Sequence, residues 1–504
     1  MVDADPSPRI SKSSAQDGRR RCLVLLTLII AAVAFIVAQE RVQDRERQWL
    51  AGDSHIHSHW SPGYDRTRNP PEPIKGQDAA YSTPTNARKA REYGLSWMVT
   101  TDHGGPNHSK FNLVHAYAEL EESRREVPDL LQFYGMELNM PAMDHHTLIL
   151  PHAEDEWKTL FNIESQFDSN EAWPVDPTRN SEAAGFRALM FMSGLPRLPL
   201  LFANHPSRSA TGVGVYGLDE PRELRNNHDA APTLYRGMEG APGHQAGALA
   251  ADGSIRRDAA GQPTGSRGAY RNAGAGTFGG FDQMTAIVGG LWDAMLGEGR
   301  RFWIVATSDS HANYTDASRP GSDFWPGQYQ KTYVLAHRTH DDILEGLRDG
   351  RAFAVAGDLV SELNVSAASS GSSAATGGTL GVRPRSDVTV TIRFRDPESR
   401  NAGGDNPKVK RIDLIVGDVR GPLADRNHDR NETTKVVGRF TERDWNAVDD
   451  VYTLTTTIPR LERSIYLRVR GTNTADVEPA MDPPGENPWS DLWVYSNPIF
   501  IDVR

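Results

Sequence analysis

The sequence predicts an α/β body followed by an antiparallel β-sandwich, and three observations carry that expectation. Between about Gly52 and Gly357, short apolar runs alternate with helical patterns, the rhythm of a parallel α/β arrangement. Several of those runs end directly on a histidine or a carboxylate. Beyond about Asp358 the texture changes to period-two alternation broken by turns, which is the pattern of a sandwich.

Taken in chain order, the first fifty residues read as a targeting segment. Arg19, Arg20 and Arg21 precede an unbroken apolar run from Cys22 to Ala38, and charged sequence follows it. A run of seventeen residues is the lower limit for crossing ~30 Å of hydrocarbon at ~1.5 Å per residue. The layout predicts a cleaved signal or a retained anchor with its arginines cytoplasmic, and so an extracytoplasmic body, membrane-anchored or secreted. Residues 51–357 form the predicted body. Its first clear helix has Thr83 as N-cap and Pro84 at the first position, and closes at Gly94. Strands are expected over 95–100, 131–136, 146–150, 198–204 and 301–308. The Gly-, Ala- and Pro-dense stretch 237–290 predicts a long loop or lid before a helix over 292–299, and a last helix over 341–350 closes the body. Residues 358–504 are the predicted sandwich. There the Ser/Ala/Gly-rich sequence SAASSGSSAATGG leads into DVTVTIRF, RIDLIVG, VYTLTTTI, SIYLRVRG and NPIFIDV, and the aromatic stretch 485–498 is expected to pack the sandwich onto the body.

Composition narrows the chemistry. The chain has 504 residues, of which 38% are hydrophobic and 24% charged, as in a soluble multi-domain protein. Its single cysteine excludes a disulfide framework and a cysteine-ligated zinc site. A net charge of -11 leaves no basic excess for displacing counterions from a long nucleic acid. Sixteen histidines remain, so metal chemistry here must run on imidazole and carboxylate. Neither a G-x-S-x-G elbow nor a P-loop is present.

Five clusters carry that chemistry. In Asp53-Ser-His55-Ile-His57, alternate residues share one face of a strand, which lets two neutral imidazoles grip one ion. Asp102-His103 follows the strand 95–100, and Glu137 the next one, with Asp144-His145-His146 shortly after. Asn204-His205 follows LPLLF, and Asp309-Ser-His311 follows FWIVA. Strand C-terminal ends converge on one face in α/β barrels, so the joint pattern predicts one shared polynuclear metal site. His108, His152, His228 and His340 read as surface residues or satisfied core partners.

In this order the motifs DSHIH, TTDHG, YGME, HHTLIL, ANHP and SDSH resemble the PHP (polymerase and histidinol phosphatase) superfamily of metal-dependent phosphoesterases, over roughly residues 51–357. The resemblance implies a distorted (β/α)7 TIM-like barrel holding two or three Zn, Mn or Fe ions at its strand ends. It implies that His55 and His57 bind the first metal with Asp309. Glu137 bridges to a second, completed by His146 and His205, while His103 and His311 hold a third. Asp78 or Asp65 supplies the third-site carboxylate. His146 abuts its strand and is preferred to His145, which then stands behind it. Asp309 and His205 are also expected to carry turnover. Arg208 and His244 are candidates for binding phosphate or protonating the leaving group, with Glu239 behind them, and Asp53 and Asp102 are expected to orient histidines. The implied substrate is a phosphorylated small molecule or a short phosphodiester. Two other readings compete: a catalytically inactive, metal-stabilised binding or adhesion module, and an amidohydrolase-type enzyme, for which no lysine stands at a strand end. Separately, Asp425, Asn427, Asp429 and Asn431 have the oxygen spacing of a calcium loop, although Arg430 stands where the turn glycine belongs and an Asx-rich turn competes.

Overall fold

The computed structural model describes residues 1, 46–267, 276–319 and 321–504. The apolar run 22–38 and its arginine flank lie outside them. Among the described residues no helix is long and apolar enough to cross a membrane.

The fold is mixed α/β, with one large mixed sheet and separate antiparallel sheets. The chain enters through β1 (Gln48–Ile56) and a small hairpin of β2 (Gly63–Asp65) and β3 (Glu72–Ile74), then lays down β4 (Trp97–Thr100) and β5 (Leu131–Asn139). Next come β6 (His145–Ile149), β7 (Leu200–Ala203), β8 (Tyr235–Ala241) and β9 (Trp303–Ala306). β1, β4 and β5 pair in parallel, as do β7, β8 and β9; β6 runs antiparallel between the two groups. Strands such as β4 and β7 are buried on both faces, which is why they read as continuous apolar runs.

On the other side of β1 the same sheet continues through β10 (Gln330–Ala336) and β11 (Ala352–Ala356). The remaining strands are β12 (Glu362–Ser369), β13 (Ser372–Ala375), β14 (Thr379–Val382), β15 (Ser386–Arg395), β16 (Arg411–Asp418), β17 (Lys435–Phe440) and β18 (Asn446–Val448). They are completed by β19 (Val451–Leu461), β20 (Ile465–Thr472), β21 (Trp493–Ser496) and β22 (Ile499–Val503). β21 pairs with both β11 and β20, so strands from the C-terminal region extend the sheet of the body, and Trp49–Arg504 form one compact unit. β13, β12, β15, β19 and β18 make a separate antiparallel sheet.

The large sheet is not closed. β9 ends the hydrogen-bonded path, and only a single parallel bridge, Ile56 to Ser310, joins the end of β1 to the segment after β9. The edge of β9 is covered another way: the Asn497 side chain accepts from the Ile304 N–H at 2.9 Å and donates to its carbonyl at 3.3 Å. Leu50, Val99, Phe133, Phe202, Val305 and Val334 nevertheless share one buried cluster, so β9 packs with β1, β4, β5, β7 and β10.

Several expected elements shift. The first helix spans Thr83–Glu92, and its N-cap is Ser82 rather than Thr83, with the Ser82 hydroxyl accepting from the Thr85 N–H. The expected 237–290 loop begins only after β8, whose residues are all buried. The Ser/Ala/Gly-rich stretch forms the hairpin of β12 and β13. Ser369 pairs with Ser372, and Ser370 and Gly371 both adopt positive φ (49° and 86°), as a tight primed turn requires.

Candidate metal centre

The histidines and carboxylates gather where the parallel strands end. His55 lies in β1 and His57 just beyond it, His103 follows β4, Glu137 lies in β5, His205 follows β7, and Asp309 and His311 follow β9. β6 runs the other way, so its first residue, His145, reaches the same end. Backbone strain helps aim three of these side chains. His205, His244 and Asp309 have φ of 29°, 56° and 46°, left-handed values that cost an L-residue roughly 1–2 kcal/mol each.

Ring tautomers follow from the partners behind each imidazole. His55 presents Nδ1 to Glu239 Oε1 at 2.6 Å, so the proton sits on Nδ1 and Nε2 keeps its lone pair. His57 donates from Nδ1 to the Ser61 hydroxyl (2.7 Å), which in turn donates to Asp102 (3.2 Å). His311 donates from Nδ1 to the Asp309 carbonyl at 3.0 Å. His244 Nδ1 faces Asp323, which leaves its Nε2 toward Asp309 Oδ2 at 2.9 Å.

The free atoms then converge. His55 Nε2 and His57 Nε2 stand 2.9 Å apart, and Asp309 Oδ1 lies 3.2 and 3.1 Å from them. Glu137 is the hub. Its Oε1 meets His145 Nδ1 and His205 Nε2, each at 3.0 Å, and its Oε2 meets His103 Nδ1 at 2.8 Å. Asp78 Oδ2 faces His311 Nε2 at 3.3 Å and His103 Nε2 at 3.6 Å. Glu137 Oε2, Asp309 Oδ1 and Asp78 Oδ2 are buried without a hydrogen-bond partner, in close range of several ring nitrogens. Buried lone pairs facing one another at such distances are what a shared cation satisfies, so the residues fit metal ions. Four overlapping groups of ligand type result: His55, His57 and Glu137; His103, Glu137 and His145; His57, Asp78, His103 and His311; and His244, Asp309 and His311.

Burial opposes the charge on Glu137, but His145, His103 and His55 overcome it and hold the carboxyl well below the usual range. Asp309 is held low against burial by His55 and His244. Burial lowers His103 to about 4 despite Glu137 beside it.

Most expected residues meet here, with corrections. His146, the preferred ligand, lies outside the cluster, with Nε2 at the Tyr235 hydroxyl (3.0 Å) and Nδ1 at the Asp144 carbonyl (3.0 Å). The β5–β6 register pairs Glu137 with Thr147 and Asn139 with His145, so alternation turns His145 toward Glu137 and His146 to the opposite face. Asp78 joins the cluster, whereas Asp65 is occupied by the Thr67 hydroxyl and amide. Arg319 fixes the Asp78 loop by donating to the carbonyls of Gly76, Gln77 and Asp78. Asp53 orients no imidazole: it accepts the His55 and Ser308 N–H groups, and burial raises it to about 7. Asp102 reaches His57 only through Ser61. His244 sits beside Asp309 as a candidate ligand, and Arg208 stands at the margin, donating to Asp144 at 2.6 Å. Asp323 carried no sequence motif.

His145→Ala should weaken metal retention by roughly ten- to a hundredfold or more, while His146→Ala should keep its metal and lose only stability. Elemental analysis of the two variants side by side decides, and metal loss confined to His146→Ala would restore the opposite assignment.

In the C-terminal region the segment with calcium spacing is held by the protein's own hydrogen bonds. Arg225 takes the Arg426 and His428 carbonyls at 2.8 and 2.6 Å, Asp429 accepts from Tyr216, and Asn431 accepts from Thr433. Asp425 Oδ1 accepts the Asn427 N–H, so the segment is bonded as an Asx-rich turn.

His108 is a satisfied core partner. Its Nδ1 meets Glu164 at 2.5 Å and its Nε2 meets the Trp60 carbonyl at 3.1 Å, so both nitrogens face acceptors and the ring is doubly protonated. Burial alone would lower it, but Glu164 raises it to about 9. A raised histidine stabilises the fold fully below its unfolded value and ceases to do so as pH climbs through about 9. Chemical denaturation from pH 6 to 10 should show wild type losing about 2–3 kcal/mol more than His108→Gln across that interval; parallel slopes would refute the assignment.

No protein-family model and no curated protein matches this chain.

Proposed function

We propose that the chain is a metal-dependent phosphoesterase of the PHP type, acting outside the cytoplasm. The carrying observation is the convergence of partnerless carboxylate oxygens on lone-pair imidazole nitrogens around Glu137. On this reading β1 and β4–β9 with their helices are a distorted (β/α)7 barrel, the C-terminal strands build a sandwich onto it, and the apolar run 22–38 tethers or exports the chain.

His55, His57, Asp78, His103, Glu137, His145, His205, Asp309, His311 and His244 would hold two or three Zn, Mn or Fe ions. Such ions supply hydroxide near neutral pH and neutralise a phosphoryl group. The chain's own residues set the stage. Glu239 and the Ser61–Asp102 pair lock the His55 and His57 rings. Arg208, about a third exposed beside His145, is placed to meet a phosphoryl oxygen. Asp323 holds His244. An amide-cleaving site of the carboxylated-lysine type has no support, because Glu137 occupies the hub. The acidic chain favours a phosphorylated small molecule or short phosphodiester over long nucleic acid.

The test couples elemental analysis of the purified chain to a panel of phosphomonoesters and phosphodiesters. Turnover is expected with bound metal, and Asp309→Ala should lower it by on the order of 10²–10³ or more while leaving the fold. Stoichiometric metal without turnover across the panel would favour the binding-module reading instead.

A further inference from the structure

A cleft of about 380 Å³ opens beside the metal centre, and Asp78 and His103 form part of its lining. Away from them the lining is built largely from Pro62, Tyr64, Pro71, Ala172, Trp173 and Val175, and its one further charge, Arg66, belongs to an exposed residue. Two distant segments supply these walls: the stretch between β1 and the 83–92 helix, and the stretch after the helix Glu156–Phe167. They are pinned to each other by the Trp173 Nε1–H, which donates to Asn69 Oδ1 at 2.7 Å. Between them the backbone passes close. A Cβ on Gly104 would lie 2.2 Å from Asp168 Oδ2, and one on Gly105 2.5 Å from the Tyr64 hydroxyl, so only glycine lets the backbone pack directly against Asp168 and the Tyr64 ring that lines the cleft. Trp173 and Val175 remain 39% and 70% exposed among the described residues, apolar surface at the edge of the cleft.

We infer that this cleft holds the alcohol half of the substrate and that this half is an uncharged aromatic group; the inference rests on the phosphoesterase reading above. Flat proline and tryptophan walls suit a ring, whereas a sugar would bring several hydroxyls to a lining whose neutral polar side chains are Ser169, Asn170 and the Tyr64 phenol. With the ring in the cleft, the phosphoryl group reaches Asp78 and His103 at the metal face. Hydrolysis breaks the P–O bond to the alcohol. Water oxygen takes its place on phosphorus, and one water proton ends on the alcohol oxygen, giving inorganic phosphate and the free aromatic alcohol.

The experiment compares 2-phenylethyl phosphate with glycerol 1-phosphate, both esters of primary alcohols, on the full metal-loaded chain. In parallel it compares equilibrium binding of 2-phenylethylphosphonate and methylphosphonate. Wild type should favour the phenyl compound roughly tenfold in kcat/KM, mostly through KM, and by a similar factor in binding. Trp173→Ala should bring both ratios close to one, and Trp173→Phe should keep them. A merely structural loss would lower both substrates and leave the ratios standing, which overturns the inference. Equal kcat/KM and equal binding in wild type also overturn it, while sparing the phosphoesterase reading. Preferential binding of the phenyl phosphonate with no ester hydrolysed supports the aromatic cleft and refutes phosphoester hydrolysis. Neither binding nor hydrolysis refutes both.

Discussion

Glu137→Gln should give a folded protein with much reduced metal content and a turnover lower by on the order of 10²–10³. Glu137 belongs to two of the four ligand groups and touches His103, His145 and His205 at hydrogen-bonding distance. Glutamine keeps the shape and removes the charge, and its amide would aim N–H groups at nitrogens that must offer lone pairs. The loss therefore falls on the ions and not on the strands, whose apolar faces hold β5 in place. Elemental analysis and circular dichroism of the same sample separate the two. A variant with wild-type metal content and turnover would remove Glu137 from the centre of the site.

A chain ending at Gly357 should fail to fold. Its last strand, β11, would lose its partner β21, and the Asn497 side chain would no longer cover β9. Asp293, fully buried, would lose Arg468, which holds it through two bonds of 2.8 and 2.7 Å. Removing one partner of a buried ion pair costs about 3–5 kcal/mol by itself, a large part of the roughly 5–15 kcal/mol that keeps a domain folded. The apolar cluster shared by Phe353, Val355, Leu467 and Val494 would open as well. Residues 46–357 are expected to be insoluble or to show no cooperative transition, and 46–504 to unfold in one. Cooperative unfolding of the shorter chain with bound metal would show that the two regions are independent.

What the sequence made legible follows from which signals are local. Continuous apolar runs marked the buried parallel strands, and the His and Asp residues at their ends marked the candidate metal centre, because a strand delivers its terminal side chains to a predictable place. The choice between His145 and His146 needed the register of a hairpin, a relation between two strands that neither encodes alone. Glu239 and Asp323 act on histidines far away in sequence, and Arg319 acts on a loop through its carbonyls; no spacing rule reaches them. The β12–β13 hairpin was not among the expected strands because serine and alanine carry little β signal, although Ser370-Gly371 was a readable turn.

The left-handed backbone at His205, His244 and Asp309 sets a trap for anyone improving this protein by heat selection. Glycine at any of the three would release stored conformational energy while deleting a side chain of the candidate metal centre. A library screened for endurance alone would therefore drift toward robust molecules with an emptied candidate site, so screening has to ask for metal binding from the first round.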